Sequence, residues 1–144
     1  MEVKVLFNIT YKVLHKSLLW VLDFYDWPLS GAIGLDGLMY WFKCTESDYE
    51  LTGEIDEEDG AVSQEYRIFT IYDCPKDWWI PVLLQHEDFC KLVGEHWNYE
   101  NGIRKANFVD KGTCGEFYKK YKDWKRPELK DSYIVGKCDS RCLN

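Results

Sequence analysis

The chain has 144 residues, of which 46% are hydrophobic and 30% charged, and its net charge is −7 at pH 7. This length suits a single domain over residues 1–144, and the acidity argues against direct nucleic-acid binding, which depends on Lys and Arg. The apolar stretch 18–22 is too short for a secretory signal or a membrane span, so we expect a cytoplasmic protein that does not bind membranes.

Two extended segments are predicted near the start of the chain. Odd positions from 3 to 13 are apolar while most even positions are polar, which predicts a half-buried strand. Residues 18–25 are largely apolar on both faces and predict a central strand. That strand should end at Asp26-Trp27-Pro28, where the chain must turn, because proline cannot donate a hydrogen bond to a neighbouring strand.

A β-hairpin is the clearest local prediction. Asp36-Gly37 is a two-residue signal for a type I′ turn, because these residues tolerate the positive φ angles that such a turn requires. The flanking residues 31–35 and 38–43 should therefore form two antiparallel strands. A phosphate-binding loop is not predicted here, because Gly31, Gly34 and Gly37 lie within the hairpin and not between a strand and a helix.

An acidic segment dominates the middle of the chain. Residues 46–65 contain nine acidic side chains and no basic one, which predicts a long solvated loop joining adjacent antiparallel strands. The next strand is expected over residues 66–72, where apolar and polar side chains alternate. The carboxylates of residues 54–59 do not follow the ligand order of an EF-hand, so a calcium site is not predicted.

The second half of the chain predicts two helices. The first spans roughly residues 80–93, with Asp77 as its cap, Trp78 and Trp79 near its start, and Gly94 near its end. The second spans residues 115–124 and is stopped by Pro127. Its sequence has an aromatic stripe, formed by Phe117, Tyr121 and Trp124, and a basic face, formed by Lys119, Lys120, Lys122 and Lys125.

Together these elements predict an α+β fold. An antiparallel sheet of about five strands from the N-terminal half should be packed by two helices from the C-terminal half, with a short edge strand over residues 132–135. The charge is uneven, because residues 1–103 have a net charge of −12 and residues 104–144 one of +5. We therefore expect a strongly dipolar molecule.

The cysteines and histidines offer two kinds of chemistry. Cys138 and Cys142, with His86 and Cys90 on one helical face, have spacings compatible with zinc, but a strong zinc signature has two tight pairs. A Cys90 nucleophile beside His86 requires a third orienting group and an electropositive setting. Free thiols, several of them buried, are therefore favoured, and neither a metal nor a cofactor is predicted.

One stretch of the chain resembles a pattern found in other proteins. Residues 22–31 read Leu-Asp-Phe-Tyr-Asp-Trp-Pro-Leu-Ser-Gly and are followed by Leu-Met-Tyr-Trp-Phe at 38–42. This is similar to a strand-turn-hairpin pattern of small uncharacterised bacterial and phage proteins, which usually have Asp-Gly-Pro where this chain has Asp-Trp-Pro. The resemblance covers about the first third of the chain and implies no function for individual residues.

The leading functional hypothesis is a small non-enzymatic binding protein of the inhibitor, immunity or anti-defence kind. Aromatic residues make up 17% of the chain, more than a small core readily hides, and exposed Trp and Tyr are typical of binding hot spots. An acidic and aromatic surface would engage a partner protein with a basic surface. The candidate partner-binding residues are Tyr25, Asp26, Trp27, Tyr40, Trp41, Glu54, Asp56, Glu57, Glu58, Asp59, Trp78 and Trp79.

Two alternatives belong to other functional classes. The first is a small-molecule binder that holds a nucleotide-like ligand between aromatic rings, with Lys and Arg of residues 104–144 contacting its phosphates. The second is a small hydrolase that uses His86 with a carboxylate. The aromatic side chains near the turn, Tyr25, Trp27, Tyr40 and Trp41, form either a binding platform or the cap of the core.

Overall fold

A six-stranded mixed β-sheet with helices on its faces organises the fold. The computed structural model describes residues 6–58, 60–105 and 113–141. The strands are β1 (Phe7–Ile9), β2 (Leu18–Tyr25), β3 (Trp27–Leu35), β4 (Leu38–Asp56), β5 (Gly60–Tyr72), β6 (Tyr99–Glu100), β7 (Ile103–Arg104) and β8 (Ile134–Asp139). The helices are α1 (Tyr11–Lys16), α2 (Lys76–Leu92) and α3 (Cys114–Lys120), with a 3₁₀ turn at Asp131–Tyr133.

The strand order in the main sheet is β1-β8-β5-β4-β3-β2, while β6 and β7 form a separate small hairpin. All neighbours in the main sheet are antiparallel except β1 and β8, which are parallel. The predicted α+β class is therefore confirmed, while the predicted antiparallel sheet of about five strands fits only roughly, because the sheet has six strands and one parallel pair. The prediction also missed a helix, since α1 lies in the N-terminal half.

The predicted strand over residues 3–13 is wrong beyond Ile9, and its first three residues lie outside the described part of the chain. Thr10 starts α1 instead, because its hydroxyl oxygen accepts a hydrogen bond from the backbone N–H of Val13 at 3.2 Å. A threonine cap of this kind satisfies a donor that the first helical turn leaves free. The helix places Leu14 in the interior, where its side chain is completely buried.

The bounds predicted for β2 are confirmed, but its predicted central position is wrong because β2 is the last strand of the sheet. Its outer edge is partly covered, since the N–H of Val21 donates to the carbonyl of Trp97 at 3.0 Å. Asp26 adopts a φ of 61° in the predicted turn. That turn is tight, because Tyr25 pairs directly with Trp27.

The predicted hairpin at Asp36-Gly37 is confirmed. Both residues have positive φ angles, 51° and 79°, as a type I′ turn requires. Leu35 pairs with Leu38 across the turn, and the register continues to Ser30 opposite Lys43. This register places alternate side chains of β3 and β4 on opposite faces of the sheet.

The two faces of the sheet bury separate cores. The first core packs beneath α1 and consists of Leu14, Leu18, Val21, Ile33, Phe42, Phe69, Ile71 and Cys138. The second core packs beneath α2 and consists of Trp20, Ala32, Trp41, Tyr72, Cys74, Trp78, Trp79 and Val82. The second is predominantly aromatic, and we call it the aromatic core.

The helices of the second half differ from their predicted bounds. Helix α2 begins at Lys76, with Pro75 as its cap, so Asp77 lies in the first turn and is not the cap. Helix α3 ends at Lys120 and not at Trp124, yet the predicted aromatic stripe is present, because Phe117 and Tyr121 have ring centroids 4.8 Å apart. It docks on α2 through Lys120, whose ammonium group lies 2.8 Å from the carboxylate of Asp88.

The segment predicted as an edge strand over residues 132–135 lies elsewhere in the sheet. The chain makes the 3₁₀ turn first, and β8 then runs between β1 and β5. Sequence periodicity could not place it there, because the neighbours of β8 come from distant parts of the chain. None of the helices formed by residues 6–58, 60–105 and 113–141 is long and apolar enough to cross a membrane.

Candidate functional site

The acidic segment 46–65 is a two-stranded ribbon and not the predicted loop. Strands β4 and β5 pair from Trp41 opposite Tyr72 to Asp56 opposite Gly60. Their outer neighbours stop earlier, since β3 pairs with β4 only as far as Lys43, and β8 pairs with β5 only as far as Ile68. Residues 46–65, which we call the acidic ribbon, therefore project beyond the rest of the sheet.

The strands form here because charge does not prevent pairing when both faces of a ribbon are solvated. The prediction of an adjacent antiparallel pair was confirmed, while the long loop between its strands was wrong. Tyr49, Leu51 and Val62 are residue types that fit an extended backbone or pack on a strand surface, and they alternate with polar side chains. The many acidic side chains of residues 46–65 therefore obscured the alternating pattern of a strand.

The two faces of the acidic ribbon differ in chemistry. Residues directly opposite in an antiparallel pair share a face, so Asp48 and Glu50 lie on the side of Tyr66 and Gln64. Glu46, Asp48 and Glu50 thereby line one face, and Ser47, Tyr49 and Leu51 line the other. Tyr49 is 67% exposed and Leu51 70% exposed. The acidic ribbon therefore has an acidic face and a second face, which we call the apolar face, where the exposed Tyr49 and Leu51 lie opposite Glu65 and Ser63 of β5.

Carboxylates crowd the tip of the acidic ribbon. The strand is irregular between Leu51 and Ile55, where Gly53 has a φ of 85° that glycine adopts readily. At the turn, the backbone N–H of Glu58 donates to the carboxylate of Asp56 at 2.8 Å. The predicted binding residues Glu54, Asp56, Glu57 and Glu58 are all exposed here, whereas Asp59 lies outside the described residues.

One arginine anchors the base of the acidic ribbon on each face. On the acidic face, Arg141 forms ion pairs with Glu50 at 2.8 Å and with Asp139 at 2.7 Å, and its guanidinium lies 3.9 Å from the ring centroid of Tyr66. These contacts hold the pKa of Asp139 below its usual range. On the apolar face, Arg67 pairs with Glu65 at 2.7 Å. The base is thus fixed while the tip projects.

The predicted aromatic surface is not formed. Trp41, Trp78 and Trp79 are at most 8% exposed, because the first turn of α2 packs them together in the aromatic core. The rings meet edge to face, with centroids 5.3 Å apart for Trp41 and Trp78 and 5.0 Å apart for Trp78 and Trp79. The expected exposure of these three side chains is therefore wrong.

The remaining predicted aromatic residues lie elsewhere. Tyr25 is 73% exposed beside the exposed Asp26 at the β2–β3 turn. Trp27 and Tyr40 are half-buried against the first core, where Trp27 packs on Tyr11 and Tyr40 on Phe7. Tyr25, Trp27, Tyr40 and Trp41 thus do not form one platform, since Trp41 faces the other side of the sheet.

A histidine, a cysteine and an asparagine meet at the side of α2. The Sγ atom of Cys90 lies 3.4 Å from Nε2 of His86 and 3.6 Å from Nδ2 of Asn98. The His86 ring stacks on Trp20 at 4.1 Å with an interplanar angle of 11°. Asn98 is the third group that the sequence could not supply, because it follows α2 in a loop with no recognisable motif.

Burial sets the protonation states of this cluster. It lowers the pKa of His86 to about 4 and raises the pKa of the Cys90 thiol. At neutral pH the imidazole and the thiol are therefore both uncharged, which is the opposite of the thiolate that a nucleophilic cysteine requires. The groups that hydrogen-bond to this side of His86 are a thiol and an amide, where the hydrolase hypothesis expected a carboxylate.

Five cysteines, Cys44, Cys74, Cys90, Cys114 and Cys138, are free thiols, while Cys142 lies outside the described residues. Cys138 is buried in the first core, whereas Cys90 lies on α2, which packs on the other face of the sheet. Cys138 and the His86–Cys90 pair therefore belong to different parts of the fold. Among residues 6–58, 60–105 and 113–141, no three His, Cys, Asp or Glu side chains are placed to hold a metal ion together.

No protein-family model matches this chain, and no curated protein and no solved structure matches it either. Function is therefore inferred from the charge, exposure and shape of the surfaces described above. Of these, the acidic ribbon combines nine acidic side chains with the exposed apolar side chains of Tyr49, Leu51 and Ile55.

Proposed function

We propose that this protein is a non-enzymatic binding protein that docks its acidic ribbon on a basic surface of a partner protein. The supporting observation is that residues 46–65 project beyond the sheet with nine acidic side chains and no basic one. Binding of this kind suits an inhibitor, an immunity protein or an anti-defence protein, because each acts by covering a surface of its target.

The acidic ribbon is costly for the isolated protein. A two-stranded hairpin without further strands is only marginally stable in water, and its unpaired edges invite unwanted pairing. Glu46, Asp48 and Glu50 also share a face, where alternate side chains lie about 7 Å apart and repel each other, and of the three Glu50 is already paired with Arg141. Basic side chains of a partner would relieve this repulsion, which gives the complex an advantage that the free protein lacks.

The apolar face supplies the other half of an interface. Tyr49, Leu51 and Ile55 are between 67% and 82% exposed. Large apolar side chains surrounded by charge match the usual anatomy of protein interfaces, in which an apolar centre lies inside a polar rim. The carboxylates would accelerate the encounter, and the buried apolar contacts would slow dissociation.

The class of partner follows from the linear arrangement of charge. Carboxylates along a narrow ribbon complement a basic groove better than a flat surface, and grooves of that kind occur in proteins that bind nucleic-acid phosphates. We propose that the acidic ribbon occupies such a groove and blocks it. The protein would then compete with nucleic acid without binding nucleic acid itself.

The test compares two variants that remove the same amount of charge. The ribbon variant carries Glu54→Gln, Asp56→Asn, Glu57→Gln and Glu58→Gln, and the control carries Glu100→Gln, Glu116→Gln, Asp123→Asn and Glu128→Gln at exposed positions elsewhere. Affinity capture at low salt, followed by mass spectrometry and by binding kinetics with each recovered protein, should give a specific partner for the wild type and the control.

The ribbon variant should associate with that partner at least about tenfold more slowly, because it lacks electrostatic steering. The partner should also lose its bound nucleic acid when the wild-type protein is added. Equal association rates for the ribbon variant and the control would refute the proposal, and so would a partner that retains full nucleic-acid binding in the complex.

A further inference from the structure

We propose that a crevice beside α2 binds a nucleotide-like ligand, with a planar heteroaromatic ring inside and an anionic substituent at its rim. The crevice has a volume of about 330 Å³ and lies between α2, β2, α3 and the loop before β6. Its lining includes Gln85, His86, Phe89, His96, Trp97 and Tyr118. This site is separate from the acidic ribbon and does not depend on the proposed function.

The crevice is walled by aromatic rings in fixed arrangements. His86 is held parallel to Trp20 at 4.1 Å, and Phe89 meets Phe117 edge to face at 5.1 Å. Trp97 also lines the crevice, with its ring centroid 5.9 Å from that of His96. Flat walls that cannot rotate freely favour a flat ligand, because ring stacking adds to the gain from burying apolar surface. A volume near 330 Å³ is at the lower end of small-molecule sites and limits the ligand to a single compact ring system.

The polar groups in the crevice are uncharged. Burial lowers the pKa of His86 and of His96, so both imidazoles are neutral at pH 7 and each has one donor and one acceptor nitrogen, of which Nε2 of His86 is already engaged by the Cys90 thiol. Gln85 adds a side-chain amide with the same dual character. Neutral donors and acceptors match the amide-like edge of a heterocycle, whereas an ionised group would lose its hydration here without gaining an opposite charge.

The outer wall adds a positive charge. The guanidinium of Arg104 lies 5.0 Å from the ring centroid of Trp97, which lines the crevice, and Arg104 itself is exposed. Arg104 does not itself line the crevice, so an anionic substituent must extend past Trp97 to contact it and remains hydrated there. Arginine suits this contact, because its planar fork matches phosphate oxygens.

The position of the His86 ring is also explained by this arrangement. The Cys90 thiol hydrogen-bonds to the histidine, Asn98 donates in turn to the Cys90 sulfur, and Trp20 supports one face of the ring. These contacts lock the orientation of the imidazole that lines the crevice. A binding group held in one orientation loses little entropy when the ligand arrives.

The experiment titrates the full chain with the four common ribonucleosides and their 5′-monophosphates, using calorimetry and thermal shift. We expect at least one base to bind, and its monophosphate to bind at least about fivefold more tightly than its nucleoside through Arg104. Arg104→Gln should remove this difference while leaving nucleoside binding unchanged. Failure of all eight compounds to bind would overturn the proposal.

Two variants locate the ligand. Leu22→Trp places a large ring at the mouth of the crevice and should weaken binding at least about tenfold. Leu19→Trp is the matched control, because Leu19 is similarly exposed on the same strand but does not line the crevice. If Leu22→Trp fails to fold by circular dichroism, Gln85→Leu replaces it. Equal affinity of the crevice and control variants would place the ligand elsewhere and refute the site, whereas the acidic ribbon can fail its own test independently.

Discussion

The acidic ribbon and the aromatic core contain the two residue types in which this sequence is rich, acidic and aromatic, and they differ in exposure. The aromatic core collects Trp20, Trp41, Trp78 and Trp79 beneath α2, where none is more than 8% exposed. The acidic ribbon exposes nearly all of its side chains and extends beyond the other strands. Both regions include strand β4, whose first part contains the buried Trp41 and Phe42 and whose second part is solvated.

This contrast separates stability from binding. The sequence favoured a single surface that is both acidic and aromatic, whereas the structure places the tryptophans of α2 in the interior and leaves the carboxylates outside. Substitutions in the aromatic core should therefore unfold the protein. Substitutions in the acidic ribbon should leave it folded and change what it binds.

The largest expected effect is the loss of stability in Trp41→Ala. Trp41 is 1% exposed and packs on Trp78 and Trp79, so its removal should lower the free energy of unfolding by about 3–5 kcal/mol. Leu51→Ala in the acidic ribbon should change it by less than about 0.5 kcal/mol. Urea denaturation followed by tryptophan fluorescence measures both. Similar losses in the two variants would abolish the contrast between the regions.

A smaller effect should appear on acidification. The folded state lowers the pKa of His86 from 6.5 to about 4, so the unfolded chain binds the proton first as the pH falls. The stability from the neutral imidazole is complete above pH 6.5 and is lost between pH 6.5 and 4, by at most about 3 kcal/mol. Partial exposure of the ring reduces this figure.

His86→Phe keeps a ring against Trp20 and removes the titrating group, so stability should vary less with pH in that window. Some slope should remain, because burial also lowers the pKa of His96. Urea denaturation at pH 7, 6, 5 and 4.5 provides the comparison. An unchanged slope in His86→Phe would show that another group controls the pH dependence.

The smallest expected effect is local. Arg141→Gln removes the ion pairs with Glu50 and Asp139 at the base of the acidic ribbon. Exposed ion pairs contribute little to global stability, so the urea midpoint should barely move. Backbone amides of residues 48–51 and 64–66 should exchange with solvent faster, by less than about tenfold, as the base opens more often. Unchanged exchange there, or faster exchange in the aromatic core, would contradict this role of Arg141.

Local features of the fold could be predicted from the sequence because short-range chemistry decides them. The Asp36-Gly37 turn could be predicted because both residues tolerate positive φ angles. The bounds of β2 followed from its apolar pattern and the turn at Asp26. The sheet order could not be predicted, because it depends on pairing between distant segments such as β1 with β8. Thr10 is a third case, because it caps a helix where the alternating sequence pattern predicted a strand.

The candidate sites were predictable only in part. The sequence identified the acidic run correctly but could not tell a solvated ribbon from a loop, because charged side chains are compatible with both. It also identified His86 and Cys90 as neighbours, since they lie four residues apart on a helix. Asn98, Trp20 and Trp97 join them only through tertiary packing, and no local pattern marks that contact.

The parallel pairing of β1 with β8 affects how this protein emerges from the ribosome. β1 is synthesised first, yet its neighbour in the sheet is formed by residues 134–139, so its sheet hydrogen bonds must wait until those residues are translated. Until then, β5 also presents an uncovered edge to solvent or to any nearby chain. We expect nascent chains that stall before residue 134 to depend on chaperones more than the finished protein does.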